Sequence, residues 1–364
     1  MSTAEAADPV ADLAFLWTWF AKNQLRGYSP VYERIALAVA KDRQVLEMVR
    51  AAPPMAHMPP LLLAAVHYLL LEGREHPLAD VFEGRSDADP APLFLDLCRA
   101  RADDVATLLA TRRIQTNECG RSAVVGPALT WLAAPSGQPV ALVDVGASAG
   151  LNLLCDQFRL DYGEHGATGP TDSPVWVDCR VIAGRPPIAE RLPPMAARVG
   201  IDRSPVDLGD PDDVRWLLAC VWPGTGRLER TAAAMRLAQA DPPYVAAGDA
   251  DEVLPGVISD LPDRSMVVVV TTWAFAYFLV EDRRRFVELL ATLSHRRPVA
   301  WLSAEAAGVV EALNDAVAAE PAPKHDETDF NVLGVVSFDR GERGAQLLGY
   351  VHQHGAWIDW RASR

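Results

Sequence analysis

Apolar residues in the first third of the chain recur at intervals of three and four positions, as Leu13, Trp17 and Phe20 illustrate. This spacing places apolar side chains on one face of an α-helix and predicts amphipathic helices. The same spacing returns between residues 35 and 49, and proline-rich breaks separate the segments. We therefore predict that residues 1–122 form a helical N-terminal region.

From about residue 139 the pattern changes to short apolar runs, often β-branched, that alternate with helical stretches. Strands that alternate with helices predict crossover connections and a mostly parallel sheet, whose strands are buried on both faces. The predicted strands cover residues 140–144, 198–202, 244–249, 266–271 and 298–302. The resulting prediction is an α/β domain over residues 123–364.

Two parts of this domain depart from the alternation. The apolar runs 332–338 and 345–352 flank a polar turn and predict a C-terminal antiparallel hairpin. The segment 158–197 is irregular, but its stretches 158–162 and 175–179 alternate with a period of two. We therefore expect this insertion to make a small β excursion.

Composition excludes several classes of function. The net charge is −14 and no basic face is available for a nucleic acid. No apolar run reaches the roughly 20 residues that a membrane span requires, and the acidic start is unlike a secretory signal. The five cysteines contain no C-x-x-C pair, so neither a disulfide framework nor a metal site is expected. These features predict a cytoplasmic protein with a small-molecule substrate and leave its oligomeric state open.

The segment 143–152 carries the strongest chemical signal. A predicted strand reaches Asp144, small residues follow, and an apolar helix is expected to begin near Asn152. Small residues let the backbone approach a ligand closely, and the N-terminus of a helix offers unpaired N–H groups. The small residues are Gly146, Ala147, Ser148, Ala149 and Gly150.

Two further predicted strands also end in acids. Asp202 ends the second strand, and Asp249 with Ala250 follows the third. A carboxylate in the first position accepts ribose hydroxyl groups, and one in the second accepts an exocyclic amine. Because the carboxyl ends of parallel strands share one edge of a sheet, the sequence predicts a nucleotide-like ligand there.

These strand ends and the strands after them resemble class I S-adenosylmethionine-dependent methyltransferases. The resemblance implies a Rossmann-like sheet, S-adenosylmethionine as the cofactor and methyl transfer to a small-molecule acceptor. It implies that Asp144 and residues 146–150 hold the methionine moiety, that Asp202 holds the ribose, and that Asp249 with Ala250 holds the adenine. Ser148 stands where the family has a central glycine, and Asp202 follows Gly150 by 52 residues.

A second resemblance extends over nearly the whole chain. The phrases 115–122, 146–153 and 272–277 resemble an uncharacterised bacterial family of unknown function. This resemblance implies no established reaction.

Residues outside the three strand ends complete the predicted site. Asn117 and Arg121 precede the first strand and are expected to fold over the loop, unless they begin a surface helix. Thr272 ends the fourth strand on the cofactor side. Tyr277 and Glu305 are the candidate catalytic residues, the alternatives being a packed helix face and a cap.

Two other functions remain open for the same residues. Residues 146–150 also match the G-x-S-x-G nucleophile elbow of serine hydrolases, with Ser148 as nucleophile and a downstream histidine as base. The available histidines are His325, His352 and His354. We expect the strand before His352 and His354 to run antiparallel, which would place both away from the cofactor edge. In the methyltransferase interpretation Ser148 caps the helix, and a non-catalytic binding protein is the third possibility.

Overall fold

The computed structural model describes residues 8–73, 75–320 and 330–363. The α-helices in these ranges are α1 (Pro9–Phe20), α2 (Pro30–Val39), α3 (Arg43–Ala51), α4 (Pro59–Leu71), α5 (Pro77–Phe82), α6 (Pro90–Ala100), α7 (Ala102–Thr111), α8 (Ser122–Ala133), α9 (Pro211–Ala219), α10 (Arg227–Ala240), α11 (Ala250–Asp260), α12 (Val280–Leu293) and α13 (Asn314–Ala318). The strands are β1 (Val140–Val145), β2 (Arg159–Asp161), β3 (Ala167–Thr168), β4 (Trp176–Asp178), β5 (Arg180–Ala183), β6 (Met195–Asp202), β7 (Tyr244–Ala247), β8 (Met266–Thr272), β9 (Val299–Ala306), β10 (Phe330–Asp339), β11 (Glu342–His352) and β12 (Trp357–Trp360).

The chain divides into two compact units. The first comprises the described residues up to Thr116 together with Gly209–Ala232, and it contains α1–α7 and α9. Its core buries Trp17, Tyr32 and Phe94 almost completely. Of the helices in the described ranges, none is both long enough and apolar enough to cross a bilayer.

The second unit, Asn117–Leu208 with Ala233–Arg364, is an α/β structure. Its nine-stranded sheet has the order β5-β12-β11-β10-β9-β8-β1-β6-β7. The pairs from β9 across to β7 are parallel, whereas β10 is antiparallel to both β9 and β11. The predicted mostly parallel sheet and the C-terminal antiparallel hairpin are therefore confirmed.

The C-terminal hairpin sets the direction of β11 in the sheet. Arg340 and Gly341 adopt φ values of 52° and 84°, and positive φ at both central residues is typical of a tight type I′ turn. Because β10 reverses against β9 and β11 reverses again, β11 runs parallel to β9. The expectation for His352 and His354 is therefore wrong, because the end of β11 lies at the carboxyl edge.

The insertion contains the expected β structure, and one of its strands has a second role. Strands β2, β3 and β4 form a separate three-stranded sheet. Strand β5 instead pairs with β12 in the large sheet, with Trp357 opposite Arg180. The insertion therefore supplies one edge strand of the main sheet, which the sequence pattern did not predict.

The strand order creates one crevice at the carboxyl edge. The chain leaves β1 through β6 to β7, then returns to the other side of β1 as β8 and continues to β9. In open α/β sheets, ligands bind outside the carboxyl ends of the strands where the order reverses. This reversal lies between β1 and β8.

Candidate functional site

Strand β1 ends in a strained loop. Gly146 and Gly150 have φ values of 85° and 74°, and Ser148 has φ of 55°. Glycine adopts this left-handed region readily, whereas a residue with a Cβ atom pays about 1–2 kcal/mol. A Cβ atom on Gly146 would lie only 2.4 Å from the Cβ atom of Ala274. The loop therefore packs directly against the segment that follows β8.

That neighbouring segment is strained as well. Trp273, the first residue after β8, has φ of 55°. Among the described residues, three non-glycine residues have positive φ, and Ser148 and Trp273 are two of them. Such residues cost about 1–3 kcal/mol each and cluster at functional sites. Both lie at the crevice between β1 and β8.

Glu305, near the end of β9, holds this segment in place. Its Oε1 atom accepts hydrogen bonds from the N–H groups of Ala274 and Phe275 at 3.1 and 3.0 Å. Its Oε2 atom accepts from Ala276 at 3.3 Å. The side chain is 1% exposed, and burial raises its pKa, against the lowering effect of these hydrogen bonds. Glu305 thus acts as a cap for the segment after β8.

Tyr277, the other candidate catalytic residue, lies away from these contacts. It ends a 3₁₀ turn, Phe275–Tyr277, and is 82% exposed. The expected α-helical face of Trp273 and Tyr277 is absent from this segment because Trp273 is left-handed and α12 begins only at Val280.

The helix expected after the loop is a 3₁₀-helix, Leu151–Gln157, and Ser148 does not cap it. Gly150 occupies the N-cap position, and the side-chain Oδ1 atom of Asn117 accepts from the Leu151 N–H group at 3.0 Å. The reason is geometric, since Ser148 precedes the helix by three residues in a left-handed conformation. Asn152 is also held from outside the loop, with its Oδ1 atom 3.4 Å from Ser122 Oγ.

Most N–H groups of the loop already have acceptors. Those of Gly146 and Ala147 donate to the Ile201 carbonyl group at 2.8 and 3.2 Å. Ser148 N–H donates to Asp202 Oδ2 at 2.8 Å. Among the described residues, no acceptor is found for the N–H group of Ala149. The loop therefore offers a ligand fewer N–H donors than its sequence suggests.

Asp144 is the buried acid of the crevice. It lies in β1, is 4% exposed, and has no hydrogen bond to its carboxyl group from the residues that the structure describes. Burial raises its pKa to about 7; the nearby Arg121 charge opposes this shift and the Asp202 charge adds to it. Burial thus favours the protonated form of this acid.

Arg121 connects the ends of two strands. Its Nη1 atom donates to the Thr272 carbonyl oxygen at 2.8 Å, and its Nε atom lies 3.4 Å from the Gln353 carbonyl oxygen. The guanidinium group lies 5.0 Å from the centre of the Trp273 ring. Arg121 and Thr272 are both 7% exposed. The structure thus brings Arg121 and Thr272 together at the expected edge.

The acids of β6 and β7 have different surroundings. Asp202 accepts from Ser148 and also from the Ser204 N–H group at 2.8 Å. Asp249 precedes α11 and forms an exposed ion pair with Arg203. Ala250 is buried at the start of α11.

The turn after β11 brings His354, which the sequence pattern predicted away from this edge, next to Glu118. His354 Nδ1 lies 3.9 Å from Glu118 Oε2, and the two side chains are 11% and 1% exposed. A Cβ atom on Gly355 would lie 1.9 Å from the Gly120 carbonyl oxygen. The glycines of both turns could have signalled this close approach, but only the direction of β11 places them together.

Ser148 has a buried hydroxyl group. Its Oγ atom has no hydrogen-bond partner in the described parts of the chain, and the residue is 5% exposed. No histidine of those parts therefore contacts it as a base. His325 lies outside the described residues.

The chain belongs to the family described as "Uncharacterized protein conserved in bacteria (DUF2332)", whose model matches residues 15–360. This finding agrees with the resemblance seen in the phrases around residues 115–122, 146–153 and 272–277. No curated protein matches the chain.

Proposed function

We propose that this member of the family binds S-adenosylmethionine and transfers its methyl group to a small molecule. The strand order supports the proposal, because β7-β6-β1-β8-β9 follows the 3-2-1-4-5 order of Rossmann-like nucleotide-binding sheets. The strained residues Ser148 and Trp273 lie at the crevice that such sheets use for ligands.

The observation that carries the proposal is the buried Asp144 carboxyl group. Burial of an acid disfavours its charged form, and a cationic ligand group would offset this cost. The ammonium of a methionine moiety is such a group, since it carries a positive charge and three donors. Asp144 lies at the strand end where the methyltransferase resemblance puts this moiety.

Asp202 and Asp249 differ in how readily their carboxylates could bind the nucleoside part of the ligand. Asp202 uses one lone pair of each oxygen for Ser148 and Ser204, and a carboxylate offers about four acceptor sites. It can therefore accept ribose hydroxyl groups without releasing the loop. Asp249 would have to exchange Arg203 for the adenine amine, and an exposed ion pair of this kind contributes only about 0–1 kcal/mol.

The bound cofactor supplies an electrophilic methyl group on a positively charged sulfur atom. The protein would contribute a fixed geometry and a site from which water is excluded. We assign Glu305 the role of a positioning residue, because its three backbone hydrogen bonds fix residues 274–276. The exposed Tyr277 remains the candidate residue for contact with the acceptor.

Calorimetry with S-adenosylhomocysteine tests the proposal. Asp202→Asn should weaken binding by about 1.5–3 kcal/mol, since a charge-assisted hydrogen bond is lost. Asp263→Asn, an exposed acid before β8 at the opposite edge, should bind like the wild type. The absence of binding at millimolar ligand by folded protein would refute the proposal. Binding without turnover of S-adenosylmethionine, across a panel of small acceptors, would favour a non-catalytic binding protein.

One observation favours a serine hydrolase as the second candidate. A nucleophile elbow holds its serine in a strained turn between a strand and a helix, and Ser148 has φ of 55° after β1. Against this, its hydroxyl group is buried and contacts no base in the described ranges. We therefore rank methyl transfer first.

A further inference from the structure

A cavity lies next to Phe275, one of the residues whose N–H groups Glu305 holds. It has a volume of about 160 Å³ and is lined by residues of α12, of the segment 308–312 and of β11. Its apolar wall includes Phe275, Val287 and Trp301. The indole N–H group of Trp301 donates to Thr271 Oγ1 at 3.1 Å, so that polar group is already satisfied.

The charged residues of the cavity have unequal roles. Arg283 donates to the carbonyl groups of Phe275 and Ala276 at 3.1 and 2.6 Å, so its guanidinium group is engaged in fixing that segment. Arg284 and Arg343 are exposed, and neither has a side-chain hydrogen bond or ion pair to a described residue. At the rim of this aromatic cavity, two guanidinium groups thus have no partner within the described ranges.

We propose that this cavity binds a small organic monocarboxylate that carries one ring or a branched chain. A cavity of about 150 Å³ accommodates one benzene-sized group, which matches the volume observed here. Guanidinium groups bind carboxylates with charge-assisted, often bidentate hydrogen bonds.

The charge of the lining selects the class of anion. The lining contains Arg283, Arg284 and Arg343 together with Glu288 and Glu311, which leaves one net positive charge. A monoanion balances this charge, whereas a phosphate or dicarboxylate would bring excess negative charge beside two carboxylates. The exposed Val280 also lines the cavity and favours a ligand with an apolar body.

This site is separate from the crevice between β1 and β8. The two sites meet only through Phe275, which lines the cavity and whose N–H group donates to Glu305 near that crevice. A ligand of the cavity needs none of the residues assigned to S-adenosylmethionine. The two proposals can therefore fail independently.

Calorimetric titration of the full chain with benzoate, phenylacetate and cyclohexanecarboxylate, without cofactor, tests the site. We expect saturable binding of at least one of them, about tenfold weaker binding of its uncharged amide, and a similar loss in Arg343→Gln. Arg296→Gln, an exposed arginine outside the lining, should bind like the wild type. Ala312→Phe should fill the cavity and abolish binding, with circular dichroism as the check on its fold.

Three results would overturn this inference. They are the absence of saturable binding up to about 10 mM, equal affinity for an acid and its amide, and equal affinity in Arg343→Gln and the wild type. The Arg343→Gln result decides the matter even if Ala312→Phe does not fold, because Arg343 is exposed.

Discussion

The carboxylate of Asp202 accepts a hydrogen bond of 2.8 Å from the backbone N–H group of Ser148, which precedes it by 54 residues. This contact ties the end of β6 to the strained loop after β1. The same acid that the methyltransferase resemblance gives to the ribose therefore also maintains the shape of the loop.

This dual role predicts different effects for two substitutions of Asp202. Asp202→Ala removes both acceptors and should lower the free energy of unfolding by about 1.5–3 kcal/mol. Asp202→Asn retains one carbonyl oxygen and should lose less than half as much. Urea denaturation measures both, and equal losses would contradict the assigned role in the loop.

Ser148 should contribute little to stability through its hydroxyl group. Ser148→Ala should change the free energy of unfolding by less than about 0.5 kcal/mol, because its Oγ atom has no partner among the described residues. Ser148→Gly should stabilise the protein by up to about 1 kcal/mol, since glycine tolerates a left-handed φ. Ala149→Gly, at an ordinary φ, is the matched control and should be destabilising.

The same serine decides between the two enzymatic functions. We expect no labelling of Ser148 by a fluorophosphonate probe, since no base contacts it in the described ranges. Stoichiometric labelling that Ser148→Ala abolishes would replace methyl transfer by ester hydrolysis as the proposed function.

Asn117 should be a stabilising residue even without ligand. Asn117→Ala leaves the buried N–H group of Leu151 without its acceptor and should cost about 1–2 kcal/mol. Asn23→Ala, which loses only an exposed hydrogen bond to Trp19, should cost less than about 0.5 kcal/mol. Thermal denaturation of the two variants provides the comparison.

Asp144 should make stability depend on pH in a direction opposite to that of a salt-bridged acid. Burial raises its pKa from the ordinary 3.8 to about 7 in the folded protein, so between these two pH values the folded state binds more protons than the unfolded state. Stability should therefore fall as pH rises through this window, by up to about 1.4 kcal/mol per pH unit. Asp144→Asn should remove this part of the pH dependence. Urea denaturation of the wild type and the variant from pH 4 to 7 measures it, and the same dependence of the unfolding free energy on pH in both proteins would contradict the prediction.

Ligand binding should also shift the protonation of Asp144. The ammonium group of S-adenosylhomocysteine favours the ionised carboxylate, so binding near pH 6.5 should release a proton. Calorimetry in two buffers with different ionisation enthalpies measures this release. Methylthioadenosine, which lacks the ammonium group, should release none, and Asp144→Asn should remove the effect.

The sequence predicted the sheet better than it predicted the contacts at its edge. Runs such as Val267–Val270 are apolar on both faces, which is a local property, and β8 contains them. The direction of β11 depends on where β10 inserts, which no local pattern encodes. Consequently the sequence pattern predicted His354 away from this edge, although its Nδ1 atom lies 3.9 Å from Glu118 Oε2 there.

For the site residues too, the sequence predicted local features but not the contacts between distant segments. Small residues after Asp144 correctly indicated a tight loop, but their spacing could not show which loop N–H groups already had acceptors. That depended on Ile201 and Asp202, which reach the loop only through the register of β6 with β1. The positive φ of Trp273 had no sequence signal, because bulky residues rarely adopt it.

The pairing of β5 with β12 has a consequence for biosynthesis. One partner is residues 180–183 and the other is residues 357–360, so this edge joins segments made far apart in time as the ribosome proceeds from the N-terminus. Until residue 357 has emerged, β11 has β10 on one side but lacks β12 on the other. Strand β5 then has no strand of the large sheet to pair with. A nascent chain that stalls before that point would expose two unpaired strand edges, which are templates for aggregation.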